Sequence, residues 1–320
     1  MKGTMEKAGS GEKWVWALDA FEEGGVPSVQ VAKLIRELVG DRRVEVEPVF
    51  VLDLPALRLS PDPRVSGGQL KRFLPASEKA LTRLLVAVKD LALMPPKVLV
   101  QNGISLVASV RRLERYCHTT EAGVIVVGKH GRKGLDRALV GSFTDTLLIR
   151  ARVPLLVVPA GRLGTRIRGV MFPTDLSPGS EALLSGVIGL CQAIGAKLTI
   201  FHHIPHPVER IAQTGVFLLG GGWVSTPDFI STREIDARRK AAAWAARARE
   251  AGLQTDLKVE SSAASSAQAI LEAVRMRRVD LVFMGTESAP IKSFLLGSVA
   301  RRVIQDCPCP VWVTRSPSQN

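Results

Sequence analysis

Aromatic side chains are scarce, at 5% of the chain, and the 46% apolar content is carried mainly by Val, Leu, Ala and Ile. That balance suits parallel strands buried between helices better than a β-sandwich. Long hydrophobic runs are also missing, since none approaches the roughly 18 residues of a membrane span. The opening MKGTMEKAGSGEKW has no apolar core of the kind a secretory signal carries. These absences lead to the expectation of a cytoplasmic protein without membrane contact.

Cysteine is equally sparse. Cys117, Cys191, Cys307 and Cys309 are too few for a disulfide framework in 320 residues. Cys307 and Cys309 have the spacing of half a metal site, but no second Cys/His pair lies at ligand spacing nearby, and CPCPVWVT reads as the approach to a buried strand. His202, His203 and His206 cluster in FHHIPH. Neighbours on a strand point to opposite faces, so His202 and His203 do not readily share an ion, and no metal site is assigned. The net charge of +13 divides into +7 over residues 1–160 and +6 over the rest, with no dense basic tract or aromatic interleaving. A nucleic-acid partner is therefore not expected, although a diffuse positive field favours small polyanions.

What is present is a repeat. At 320 residues the chain fits two domains of about 150 each. VWALDAF and VMFPTDLS both end an apolar run in Asp, and the steps from Asp19 to Asp175, Gly141 to Gly297 and Pro154 to Pro310 are all 156. Gly128 to Gly285 is 157, one residue having been lost from the second copy's loop. The domains are placed at 1–160 and 166–320. In the first copy, strands are expected near 13–19, 45–52, 97–101, 123–128 and 153–159, with helices near 27–39, 76–93, 104–118 and 141–151. In the second, strands are expected near 168–174, 197–203, 255–260, 280–285 and 309–315, with helices near 179–194, 232–251, 265–277 and 296–306. Strict β/α alternation predicts two tandem doubly wound, five-stranded parallel-sheet domains of the α/β class. The stretches 53–75 and 204–231, rich in Pro and Gly, read as excursions or lids.

Chemistry concentrates where such folds bind ligands, beyond the C-terminal strand ends. There the first copy has Asp19 after strand one and Gly128-Lys129-His130-Gly131 after strand four. Gly141-Ser142 then opens the last helix, giving G-x2-G-x9-G-S. Glycines admit close backbone approach to an anion, a helix N-terminus offers free N–H groups and positive potential, and Ser142 adds a donor. Lys129, Arg132, Lys133 and Arg137 outweigh Asp136, and Asp19 can accept a hydrogen bond from an adenine amino group. The G-x4-G-K at Gly123–Lys129 is followed by His130 and runs through a strand, so it is not a P-loop; no G-x-G-x-x-G follows either first strand.

At these residues the chain resembles the universal stress protein family, over nearly its whole length and twice. The resemblance implies an ATP site, for ATP or its ADP and AMP forms with Mg2+ as an optional companion. It would place Asp19 at adenine and Val127 and Gly128 near ribose, with Gly131, Gly141, Ser142 and Phe143 at the phosphates. Ala17 stands where the family commonly has Pro, which the second copy keeps as Pro173. In that copy Ser288 replaces the second Gly and Glu287 brings negative charge, leaving Asp175, Gly285, Gly297 and Ser298 as a degenerate second site. The resemblance further implies an intramolecular pseudo-dimer through 153–159 and 309–315, with further homodimerisation left open. No catalytic residue is assigned and any ATP hydrolysis is expected to be slow. The expected function is nucleotide-dependent stress response or regulation through an unidentified protein partner. The alternative is a scaffold of the same fold that binds no nucleotide.

Overall fold

The structure is a computed structural model describing residues 12–21, 28–54, 63–102, 105–129, 142–161, 163–164, 166–206, 216–218, 222–224, 226–286 and 297–315. The chain forms two compact units. The first is Met1–Arg166 with Ile291–Leu296 and Pro308–Arg315; the second is Ile167–Pro290 with Gly297–Cys307 and Ser316–Asn320.

The first unit alternates β1 (Glu12–Ala17), α1 (Ser28–Val39), β2 (Val44–Leu54), α2 (Pro63–Leu85), β3 (Lys97–Asn102), α3 (Leu106–Thr119), β4 (Ala122–Gly128), α4 (Ser142–Arg150) and β5 (Leu155–Val158). Trp14, Val15 and Trp16 are consecutive and all buried, which requires cover on both faces of the sheet, the condition of a parallel sheet between helices. α1 supplies part of that cover through Val31, Leu34, Ile35 and Leu38, spaced by three and four. β1 lies between β2 and β4, parallel to both, with β3 and β5 flanking. The chain leaves β1 towards β2 and later returns to its other side at β4. The strand order therefore reverses between β1 and β4, where a crevice forms at the C-terminal ends.

The last strand of the sequence, β12 (Val311–Thr314), pairs antiparallel with β5 through Trp312↔Leu156. The Trp312 ring meets Trp14 edge-on, with centroids 5.7 Å apart. Compactness thus assigns Pro308–Arg315, a stretch of the second repeat, to the first unit.

α2 departs from expectation at both ends. It begins at Pro63, inside the stretch read as an excursion, and stops at Leu85 rather than near 93. Pro75 within it removes a backbone donor and masks the helical pattern. At the other end, Met94 N–H donates to Val46 O at 2.8 Å, so the apolar residues after 85 run alongside β2 instead of continuing the helix.

The second unit contains β6 (Gly169–Pro173), α5 (Pro178–Ile194), β7 (Lys197–Pro205), β8 (Val216–Leu218), β9 (Gly222–Val224), α6 (Thr226–Glu250), β10 (Thr255–Ser262), α7 (Ser266–Met276), β11 (Leu281–Gly285) and α8 (Ser298–Asp306). Its sheet runs β10-β7-β6-β11, all parallel, again with the reversal at the first strand of the repeat. Local signals set the helix ends: Ser177 caps α5 ahead of Pro178, Gly195 at φ 65° closes it, and Ser265 with Gln268 forms a capping box on α7. The stretch read as the second excursion contains an antiparallel β8–β9 pair and the first turns of α6. No helix among the described residues is long and apolar enough to cross a membrane.

Candidate functional site

In the first unit β1 and β4 run side by side with Ala17 opposite Val127, so Asp19 and Gly128 leave the same end of adjacent strands. Leu18 N–H still donates to Val49 O at 2.9 Å, which holds the exit of β1 against β2. Asp19 Oδ1 accepts the N–H of Phe21 at 3.0 Å, a tight local turn. Across the crevice, Lys129 N–H donates to Val158 O at 2.7 Å, continuing the β4–β5 ladder one residue past Gly128. Lys129 itself is buried, so its side chain is drawn inward rather than spread over a solvent-facing loop.

α4 is tied to this strand end by a specific bond. Thr144 Oγ1 donates to Gly128 O at 2.7 Å, so the first turn of α4 stands directly over the end of β4. The first N–H groups of a helix have no intrahelical acceptor and carry the positive end of its dipole. Ser142, at the first position, is exposed, and Phe143 behind it is half-buried. Asp145 in the same turn complements that dipole. The structure thus brings Asp19, Val127, Gly128, Ser142 and Phe143 to one end of the sheet. Gly131 and Gly141 lie outside the described residues.

The second unit repeats the frame with different chemistry. Asp175 Oδ1 accepts both Ser177 N–H at 3.0 Å and Ser180 Oγ–H at 2.6 Å. Burial alone would raise its pKa, but these hydrogen bonds outweigh burial and hold the carboxyl below its ordinary range. This carboxylate is engaged by its own helix cap, which the sequence reading missed; the signal was the D-x-S spacing of Asp175 and Ser177, a common local cap. Gly285 ends β11, and Gly297 N–H donates to Thr286 O at 3.4 Å, bringing Ser298 and the start of α8 to that strand end. Thr286 occupies the place of Lys129, and its hydroxyl is buried without a hydrogen-bond partner. Glu287 and Ser288 lie outside the described residues.

The histidines of β7 separate as neighbours on a strand must. His202 Nδ1–H donates to Thr174 O at 2.8 Å, beside Asp175. His203 Nε2 lies 2.9 Å from Ser262 Oγ, and its Nδ1 lies 3.2 Å from Ser266 Oγ. Burial lowers the pKa of both below the ordinary value, so both are neutral near pH 7. Among the described residues no group of three His, Cys, Asp or Glu side chains is placed to hold a metal ion.

The model of the Universal stress protein family matches this chain twice, over residues 20–159 and 166–315. The first match begins one residue after Asp19. Among solved structures, a universal stress protein from Archaeoglobus fulgidus DSM 4304 is similar with a TM-score of 0.61 at 16% identity, covering 96% of this chain and 100% of that one. A functionally unknown protein from Pseudomonas aeruginosa PAO1 gives a TM-score of 0.62 at 13% identity, covering 97% of this chain and 95% of its own. At such identities the likeness concerns the fold.

Proposed function

The chain belongs to the universal stress protein family, and from that membership and the strand-end geometry of its first unit we propose that it binds an adenine nucleotide there, ATP foremost. The observation that carries the reading is the Thr144–Gly128 bond, which sets the amide-rich start of α4 over the β4 end, beside the β1 exit that bears Asp19. Phosphates would meet the amides of Ser142 and Phe143 together with the Gly128–Gly141 backbone. The base would lie towards Asp19, whose carboxylate can accept a hydrogen bond from the amino group of adenine. Val127 and Gly128 would border the ribose.

The domains are read as 1–160 and 166–320, with the antiparallel β5–β12 pair supporting an intramolecular pseudo-dimer. The second domain, its Asp175 held by Ser177 and Ser180, is expected to bind ATP weakly or not at all. Occupancy of the first domain would act as a regulatory signal, in stress response, to a protein partner. Equilibrium dialysis with ATP, ADP and AMP tests this reading. Gly131→Val should weaken ATP binding by at least about tenfold, because a β-branched side chain blocks close backbone approach to phosphate. Wild-type protein that binds none of the three would leave the scaffold reading in its place.

A further inference from the structure

Phe21 keeps 51% of its surface exposed although it stands two residues after Asp19, at the C-terminal end of β1. Its N–H donates to Asp19 Oδ1, which holds its backbone next to that carboxylate. Its ring stands edge-on to Phe50 of β2, with centroids 5.7 Å apart and planes at 77°, so it is fixed on the β2 side of β1. The step of 156 places Phe21 opposite Ser177, the N-cap of α5. One copy uses this position to cap a helix and the other presents an aromatic ring.

The amides of α4 and the end of β4 lie on the opposite side of β1. A nucleotide with phosphates at those amides would reach Phe21 if its base extended across β1 towards β2. We propose that Phe21 is the stacking platform for that base, an inference that rests on the nucleotide reading above. Half of the residue's surface remains to be covered, and a purine face covers it without leaving any polar group unpaired. Every base has a π-face, so stacking strengthens binding without selecting the base; selection falls to Asp19.

Full-length wild type, Phe21→Ala, Phe21→Leu and Phe21→Trp are titrated with ATP by calorimetry, and their unfolding midpoints are compared without ligand. Leu retains an apolar contact with Phe50 but has no π-face. Stacking of this kind is lost on alanine substitution at a cost on the order of 5- to 150-fold in affinity. The expected result is a loss in that range for Ala and Leu, wild-type affinity or better for Trp, and unfolding midpoints of Leu and Trp close to wild type. Unchanged affinity in Ala and Leu while wild type binds ATP overturns this inference alone. Equal loss in Leu and Trp also overturns it, since that outcome reflects shape rather than stacking. Wild type that binds no ATP overturns it together with the nucleotide reading.

Discussion

Tyr116 donates its phenolic hydroxyl to Glu47 Oε2 at 2.5 Å, joining the last turn of α3 to β2. The same oxygen lies 2.7 Å from Lys13 Nζ on β1, and Lys97 at the start of β3 stands 4.8 Å from the centroid of the Tyr116 ring. Glu47 is only 6% exposed, so one buried carboxylate ties three elements of the first unit together at the end of the sheet away from the crevice.

Tyr116 is the only tyrosine in the chain, so its titration can be followed without assignment. Burial first, then the hydrogen bond to Glu47 and the charge of Glu47, push its pKa well above the ordinary value. A pKa raised by folding adds stability that is complete below the unfolded value of about 10 and is lost as pH rises beyond it. Absorbance at 295 nm should therefore show no tyrosinate in the folded protein through about pH 11. Its appearance should coincide with loss of the far-ultraviolet circular dichroism of the first unit.

Removing the charged partner of Glu47 should cost more than removing the pair. Lys13 and Glu47 side chains are 15% and 7% exposed, so Lys13→Met leaves a carboxylate buried without its cation. Breaking such a pair costs about 3–5 kcal/mol, and the remaining Tyr116 bond places this case near about 3 kcal/mol. Lys13→Met/Glu47→Leu should recover most of that loss in urea unfolding.

A substitution near the C-terminus should loosen the N-terminal unit. Trp312 is 8% exposed and packs on Trp14, which is fully buried. Trp312→Ala should cost about 3–5 kcal/mol through the cavity it leaves. Hydrogen exchange should show the faster amides in Leu155–Val158 and Glu12–Ala17, with β7 and β10 little changed.

Ser180→Ala should lower the stability of the second unit by about 1 kcal/mol at pH 7, because the lost hydrogen bond runs to a charged but partly exposed carboxylate. The Asp175 pKa is lowered on folding, so this stability is present above the unfolded value of about 3.9 and fades as pH falls through the folded one. The difference between Ser180→Ala and wild type should shrink in denaturant midpoints as pH falls below the unfolded value of about 3.9.

Much of this was legible in the sequence. The step of 156 between Asp19 and Asp175 and between Gly141 and Gly297 announced the duplication, and the continuous apolar runs of β4 and β11 announced buried parallel strands. Asp19, Gly128 and Ser142 could be brought to one sheet end because right-handed β/α alternation places all C-terminal strand ends together. The start of α2 was hidden by Pro63 and Pro75, whose local signals mark breaks when tertiary packing does not override them. The engagement of Asp175 by Ser180 was missed because a carboxylate looks the same in sequence whether or not it is hydrogen-bonded.

The sequence by itself determined the repeat, the β/α alternation of the parallel strands, and the ends from which a ligand could be reached, because periodicity and spacing are properties of consecutive residues. Tertiary structure alone decided that Glu47 draws in Lys13 and Tyr116. It also decided that Phe21 leans on Phe50. Those pairings join residues far apart along the chain, and which of them meet depends on strand order and register, set when the sheet assembles.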